Sequence, residues 1–321
     1  MNGSQSLLCF DNTTAEKIGK TFIYCSIMLF SLAGNTAIGV IVYKTKSMRK
    51  PINFLIVSMA ISDLLHPVFF IPMLIQSLYI KVNSWLIGGP LGHAICKLGF
   101  YFMHIPAVVS IQSLVLITVD RFGAVVFPLR SPTISSKLCP FFILITWIIA
   151  LAVFSPYLFV MKLVEHPGRL ECLNHWNEIF GETTSLKIYF LASSVVFIFV
   201  PLVLIAMLYI IIFLKLKSQK IPGEQSANSE AEQRRQRERN VFKMAMAIVL
   251  GFAICWLPIT ITGLLVFFTS NITMSCGFQY FRSFAVLMVV AKCAINPCIC
   301  FMFSSNYREG LKTLLSVFRT A

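Results

Sequence analysis

The sequence predicts an all-α integral membrane protein that folds as a bundle of seven transmembrane helices followed by a short amphipathic cytoplasmic helix. Of its 321 residues, 57% are hydrophobic and only 12% are charged, whereas soluble domains are about 45–50% apolar and about 25% charged. Seven apolar runs are long enough to cross a bilayer, which takes about 20 helical residues. Lys and Arg are concentrated in alternate loops between those runs. A cytosolic enzyme, a disordered chain and a small disulfide scaffold are therefore excluded.

The apolar runs are predicted to be helices because none alternates over about ten residues as a barrel strand does. They are Ile18–Tyr43, Ile52–Tyr79, Cys96–Val126, Leu138–Val160, Lys187–Leu214, Val241–Phe268 and Tyr280–Phe303. Residues 18–303 thus form the bundle, and polar residues 1–17 an extracellular N-terminus without a cleavable signal peptide. Residues 304–321 form an amphipathic helix and short cytoplasmic tail. Good helix formers in Glu230–Arg239 are expected to extend the sixth helix into the cytosol.

The charges of the loops orient the chain in the plasma membrane. Seventeen Lys and Arg residues lie on one side of the predicted spans and six on the other. Since the side richer in Lys and Arg is cytoplasmic, the N-terminus is expected outside and the C-terminus inside. Three glycosylation triplets, at Asn2, Asn12 and Asn271, all fall on the predicted outer side.

The net charge of +14 raises the question of a nucleic-acid partner. A nucleic-acid-binding domain would cluster its basic residues on a soluble face, but here they lie between apolar runs. Lipid headgroups and a cytoplasmic protein are the expected partners instead. The ten cysteines are not paired at zinc-site spacing, and no HExxH or nucleophile motif is present. Neither a metal, a cofactor nor an enzymatic activity is therefore expected.

Marker residues in every span carry a resemblance to a known family. They are Gly34, Asn35, Asp63, Cys96, Asp120, Arg121, Phe122, Trp147, Cys172, Pro201, Tyr209, Phe252, Trp256, Pro258, Asn296 and Pro297. With these markers in order, the chain resembles the rhodopsin-like (class A) G-protein-coupled receptors over about residues 20–318. The resemblance implies a receptor that activates a heterotrimeric G protein by rearranging its helices.

The resemblance also implies two contacts that hold the bundle. A disulfide between Cys96 and Cys172 would tie the second outer loop to the third helix. Arg121 would pair with Asp120 and, in the inactive state, with Glu238 on the sixth helix. Cys9 and Cys276 also lie on the predicted outer side, so a second disulfide between them is open.

Prolines inside spans remove a helix hydrogen bond and produce kinks that can move. The resemblance implies that Trp256, above the Pro258 kink, transmits ligand contact to the cytoplasmic end of the helix.

The motif that begins with Asn296 and Pro297 departs from the family at Cys300. The family usually has a tyrosine there, which swings toward Tyr209 on activation. This departure favours, as an alternative, a receptor that binds its ligand but signals weakly or scavenges it.

Asp63 is an intramembrane acid, which needs a partner. Family members often place a sodium ion beside it, held with a serine on helix three, here Ser110, and polar groups on helix seven. Asn35 is grouped with this intramembrane site. Lys292, one helical turn before Asn296, stands where the family usually has asparagine, so it is predicted as a built-in cation for Asp63. An opsin-like photoreceptor using Lys292 is a further alternative, although the retinal lysine of opsins would correspond to Val290.

The expected ligand is a peptide. Amine receptors carry an aspartate where Met103 stands, and the outer halves of the predicted spans contain no Asp or Glu that would serve as counter-ion to an ammonium. The long, mixed-polar loop Met161–Leu186 favours a neuropeptide or other peptide lying over the mouth. The pocket residues implied by family position are Gln76, Phe100, Met103, His104, Ser193, Ile259, Thr262 and Arg282. A transporter or channel is disfavoured because no inverted repeat is evident.

Overall fold

The structure is a computed structural model that describes residues 13–80, 84–127, 134–181, 183–218, 229–269 and 275–320. Within these ranges, it describes no side chains at 183–184, 216–218, 229–235, 237–241 and 317–320. Cys9 and the three predicted glycosylation sites, Asn2, Asn12 and Asn271, lie outside the described residues. So does the side chain of Glu238, although its backbone is described.

Among the described residues, seven helical segments are long and apolar enough to cross a membrane, which agrees with the predicted fold class. They are Thr14–Lys44, Pro51–Tyr79, Gly89–Val126, Cys139–Val160, Ser185–Lys215, Phe242–Phe268 and Cys276–Phe303, and we number them as the first to seventh span. The third begins at Gly89 rather than at the predicted Cys96. Pro90 occupies its first turn, where the missing proline N–H has no intrahelical partner to lose.

The helices are labelled in chain order. They are α1 Thr14–Lys44, α2 Pro51–Asp63, α3 Ile71–Tyr79, α4 Gly89–Val126, α5 Cys139–Phe154, α6 Tyr157–Val160, α7 Trp176–Phe180, α8 Thr183–Ser194, α9 Val200–Ser218, α10 Ser229–Phe268, α11 Cys276–Phe303 and α12 Ser305–Thr320. The expected extension of the sixth helix is present, because α10 includes Glu230–Arg239.

Two spans contain a wider turn that the apolar pattern does not predict. The second span joins α2 to α3 through a π-helical turn, His66–Phe70, and the fifth joins α8 to α9 through another, Val195–Phe199. Pro67 lies inside the first turn, where its missing N–H interrupts the α-helical bonding pattern. Such turns change the direction of all later side chains in the span.

The centre of the bundle is α4. Its side chains Ile111, Leu114 and Ile117 are buried and pack in one apolar cluster with Met59 of α2 and Val289 of α11. Large apolar side chains on the outward faces are exposed instead, among them Phe22, Phe141 and Ile210. An apolar outer surface of this kind suits contact with lipid tails.

A three-stranded antiparallel sheet covers one end of the bundle. Its strands β1 Ser84–Trp85, β2 Met161–His166 and β3 Arg169–Asn174 lie in the order β1-β3-β2. Gly168 turns the chain between β2 and β3 with φ +77°, a left-handed conformation that favours glycine. The predicted disulfide is present and joins Cys172 of β3 to Cys96 of α4, with the Cα atoms 5.8 Å apart. The sheet is therefore anchored to the central helix.

The amphipathic helix α12 lies against the opposite end of α1. A Cβ atom on Gly310 would come within 2.4 Å of the Ile41 side chain, so only glycine permits this approach. Tyr307 is 1% exposed, and its hydroxyl donates to Asn53 Oδ1 of α2 at 3.3 Å. Burial raises the pKa of the Tyr307 hydroxyl, which keeps it protonated as a donor.

Candidate functional site: an aromatic cavity and a buried ion pair

A cavity of about 100 Å³ lies between the third, fourth, fifth and sixth spans. Three of the predicted pocket residues, His104, Ser193 and Ile259, line it. Trp256 also lines it and at the same time packs in the apolar core with Phe252. The Trp256 indole, which the sequence predicts as part of the activation switch, therefore forms part of the cavity wall.

The other five predicted pocket residues do not line this cavity. The side-chain amide of Gln76 donates to the Ser84 carbonyl of β1 at 2.6 Å, and the Thr262 hydroxyl donates to the Pro258 carbonyl at 2.8 Å. Phe100 packs in the cluster beneath the sheet. Met103 is half-buried and Arg282 is exposed. Family position alone did not account for the direction in which these side chains point.

Aromatic residues of the fourth and fifth spans form much of the wall that the sequence analysis missed. The ring of His104 stacks on Phe154, with ring centroids 5.1 Å apart, and on Tyr157 at 4.7 Å. Tyr189 and Phe190 continue the wall from the fifth span. In the sequence, these aromatic residues are indistinguishable from lipid-facing ones, because apolar runs of membrane helices show little periodicity.

A buried ion pair lies outside this cavity. The Lys292 ammonium donates to Asp63 Oδ1 and to Ser110 Oγ at 2.6 Å, and Asn296 Nδ2 donates to Asp63 Oδ2 at 2.6 Å. Lys292 is 2% exposed and Asp63 is 0% exposed. The network joins the second, third and seventh spans.

Asn35, which the sequence analysis grouped with this network, makes different contacts. Its side-chain amide donates to the Cys293 carbonyl at 2.8 Å and to the Ser31 carbonyl at 3.0 Å. It therefore joins α1 to α11 at Cys293, the residue that follows Lys292. This contact helps to fix the position of the helix that carries the lysine.

The opsin alternative gains no support from the position of Lys292. A retinal lysine must reach the ligand cavity, but Lys292 is not among the residues that line it. Its ammonium contacts Asp63 and Ser110 instead.

Arg121 and Asp120 lie near the other end of α4. A guanidinium nitrogen of Arg121 donates to Asp120 Oδ2 at 2.5 Å. The predicted second partner, Glu238, has no described side chain, so that contact stays a prediction. On the fifth and seventh spans, Tyr209 and Cys300 are buried in one apolar cluster. The Tyr209 hydroxyl lies beside the Thr118 side chain.

The three-stranded sheet and α7 carry a small charged cluster. Glu178 of α7 accepts from the Lys162 ammonium at 2.7 Å and lies 2.6 Å from His175 Nδ1. The hydrogen bonds from Lys162 and His175 lower the pKa of the Glu178 carboxyl. This cluster links β2 to α7 at the end of the bundle that the sheet covers.

Comparisons with known proteins bear on this arrangement. The sequence model of the family described as "7 transmembrane receptor (rhodopsin family)" matches residues 34–299. The chain is 30% identical to the RYamide receptor of Drosophila melanogaster over 93% of its own length and 63% of that receptor's. It is 31% identical to the human neuropeptide Y receptor type 2, over 92% and 75% of the two chains. It is 26% identical to the substance-P receptor of Meriones unguiculatus, over 90% and 69%.

Proposed function

The chain belongs to the rhodopsin family of seven-transmembrane receptors, and on that premise we propose that it is a cell-surface receptor activated by an extracellular peptide. Relatives that support a peptide ligand are, by name, receptors for RYamide, neuropeptide Y and substance P. The proposed output is activation of a heterotrimeric G protein by a change of helix arrangement, without chemistry performed by the receptor itself.

One observation carries the proposal: α4 lines the cavity with His104 and, further along the same helix, holds the ion pair of Arg121 and Asp120. His104 lines the cavity, and Arg121 pairs with Asp120 seventeen residues later on the same helix. At 1.5 Å per residue these positions are about 25 Å apart along the axis. A ligand that binds one arrangement of the helices more tightly than the other shifts the population of both ends together.

Trp256 provides a second connection between the cavity and the core. It lines the cavity and precedes Pro258, which lies inside α10. The proline removes one helix hydrogen bond and lets the two halves of α10 change their angle. We assign Trp256 and Pro258 as the switch and Asn296, Pro297 and Arg121 as parts that respond to it.

The proposed orientation places the cavity outside and Arg121 inside. The disulfide between Cys96 and Cys172 lies at the end of the bundle that bears the sheet, and disulfides form in oxidising compartments. The distribution of Lys and Arg supports the same assignment. Asn2, Asn12 and Asn271 would then be open to glycosylation, and the exposed apolar faces would contact lipid.

The test is a nucleotide-exchange assay on membranes from cells that express the receptor, screened against a peptide library. We expect at least one peptide to increase exchange on a G protein. Arg121→Ala should abolish this increase but retain peptide binding at the cell surface. A peptide that binds the native receptor at equal surface expression without any exchange would instead favour the weakly signalling or scavenging alternative.

A further inference from the structure

A second cavity, of about 240 Å³, lies where α12 packs against the end of α1. We propose that it binds the headgroup of a membrane phospholipid that carries a primary ammonium, of the phosphatidylethanolamine class. The phosphate would lie at Lys44 and the ammonium at Glu309. Three features of the cavity lead to this class of ligand: its position, its charges and its hydrogen-bonding groups.

The position of the cavity is at the surface of the membrane. Its lining residues come from the last turn of α1, from the turn that follows, and from α12. The first span ends at Lys44, and amphipathic helices such as α12 lie at the boundary between lipid headgroups and acyl chains. A cavity between these two elements is therefore reached by headgroups rather than by soluble ligands alone.

Two buried contacts fix the walls of the cavity. Gly310 of α12 lies so close to α1 that a Cβ atom would come within 2.4 Å of the Ile41 side chain. The Tyr307 hydroxyl donates to Asn53 Oδ1 at 3.3 Å and joins α12 to α2. Ile41 and Tyr307 are each 1% exposed. The cavity is thus part of the packed fold.

The cavity carries one cation and one anion. Lys44 of α1 and Glu309 of α12 both line it, and neither belongs to an ion pair within the described part of the chain. An anionic ligand would gain from Lys44 and be repelled by Glu309, and a cationic ligand the reverse. A zwitterion places each of its charges beside the opposite one, so the cavity favours a ligand with both charges.

Hydroxyl groups accompany the lysine. Thr45 and Ser47 follow Lys44 in the chain and line the same cavity. An ammonium forms charge-assisted hydrogen bonds to phosphate oxygens, and hydroxyls donate to the same oxygens. The apolar side chains of Ile41 and Leu314 also line the cavity and suit the glycerol carbons next to the phosphate. These residues therefore match the phosphate end of the headgroup.

The polar groups of α12 match the ammonium end. Glu309 offers carboxylate oxygens, and Asn306, one helical turn earlier, offers a side-chain carbonyl. A primary ammonium has three N–H donors, whereas the trimethylammonium of phosphatidylcholine has none. Phosphatidylserine would bring a second carboxylate beside Glu309. An ethanolamine headgroup therefore fits these groups better than either.

The test is native mass spectrometry of the purified full-length protein in detergent. Phosphatidylethanolamine, phosphatidylcholine and phosphatidylglycerol with identical acyl chains are titrated separately, and soluble phosphoethanolamine is the fourth probe. We expect phosphatidylethanolamine to bind roughly two- to fivefold more tightly than the other two lipids, the effect of one exposed ion pair. Phosphoethanolamine should bind more weakly, because it lacks the carbons that contact Ile41 and Leu314.

Variants locate the effect in the cavity. Glu309→Gln should remove the preference for phosphatidylethanolamine, and Lys44→Gln should weaken the binding of all three lipids. Lys46→Gln is the matched control, because it removes the same charge from an exposed residue that does not line the cavity, and it should change neither result. The unfolding temperature without added lipid shows whether each variant is folded, as expected for changes at exposed side chains.

Three results would overturn the inference. One is equal affinity of the native protein for the three lipids, and another is an unchanged preference in folded Glu309→Gln. The third is phosphoethanolamine binding as tight as that of the lipid, which would assign the cavity to a soluble ligand. Because these measurements need neither a peptide nor a G protein, their failure would leave the proposed receptor function standing, and a failed exchange assay would leave the lipid result standing.

Discussion

Lys292 of the seventh span donates a hydrogen bond to the carboxylate of Asp63 in the second span, and both side chains are buried. A lone lysine in the middle of a membrane helix costs about 2.5–3.5 kcal/mol on insertion scales. The pair offsets that cost for both residues, although a buried pair need not add net stability. Because Ser110 of the third span accepts from the same ammonium, the pair also sets the spacing of three spans.

The pair predicts that the native receptor does not respond to sodium. The Lys292 ammonium contacts Asp63, the acid beside which the family resemblance implies a sodium ion. We expect equal unfolding temperatures in NaCl and KCl at constant ionic strength for the native protein. Lys292→Asn should vacate the position and make sodium stabilising. A higher unfolding temperature of the native protein in sodium than in potassium would show that the tethered cation does not replace the ion.

A second prediction concerns the cost of removing only one partner. Lys292→Met should destabilise the receptor by about 3–5 kcal/mol, because Asp63 then remains buried and charged without a cation, and only the hydrogen bond from Asn296 is left. The double change Asp63→Asn with Lys292→Met should recover most of that loss. Thermal unfolding in detergent and surface expression measure both. If the single variant proves as stable as the double variant, Lys292 is neutral rather than paired with a carboxylate.

Cys300 is expected to weaken the active state. Cys300 and Tyr209 are buried in one apolar cluster. Cys300→Tyr should raise basal or peptide-stimulated nucleotide exchange by supplying a hydroxyl, despite about 1–3 kcal/mol of overpacking. Cys300→Phe is the matched control, since it adds nearly the same volume without the hydroxyl. Equal exchange by all three proteins at matched surface expression would rule out this role for Cys300.

The disulfide should be required for delivery of the receptor to the cell surface. Cys172→Ser should cost roughly 2–4 kcal/mol, because the bond closes a segment with a sequence separation of 76 residues and anchors the sheet to α4. Surface labelling of intact cells measures the loss. Cys25→Ser, which alters a cysteine that is free in the structure, should be delivered normally. Full delivery and normal ligand binding of Cys172→Ser would contradict the prediction.

The charged cluster of Lys162, His175 and Glu178 should respond to acid. Hydrogen bonds from Lys162 and His175 lower the pKa of Glu178 from its ordinary 4.5, so the ionised carboxyl favours the folded loop. This contribution is present above the ordinary pKa and is lost as the pH falls through the lowered one. Hydrogen exchange of α7, measured relative to Glu178→Gln at each pH, should show protection that disappears only below about pH 4.5. Identical exchange of the two proteins at neutral pH would contradict it.

The number and order of the helices could be predicted from the sequence because they depend on local quantities. A membrane span needs about 20 apolar residues, and that length can be counted without knowing what the helix contacts. The same holds for α12, whose apolar residues recur at helical spacing. The disulfide partners Cys96 and Cys172 and the marker residues were identified through the family resemblance, not through composition.

The direction of side chains within each span was decided by the tertiary structure. The turns at His66–Phe70 and Val195–Phe199 rotate the later residues of their spans, which a continuous apolar run does not reveal. Five of the eight predicted pocket residues lie away from the cavity, while Phe154, Tyr157 and Tyr189 line it. Of those five, only Gln76 follows one of the two turns, and the other four point away because of how spans three, six and seven pack. By itself, the sequence determined that the chain crosses the membrane seven times and carries an unusual lysine. Only the packing of spans three to six decided that the cavity wall is aromatic and uncharged, because lipid-facing and cavity-facing residues are equally apolar.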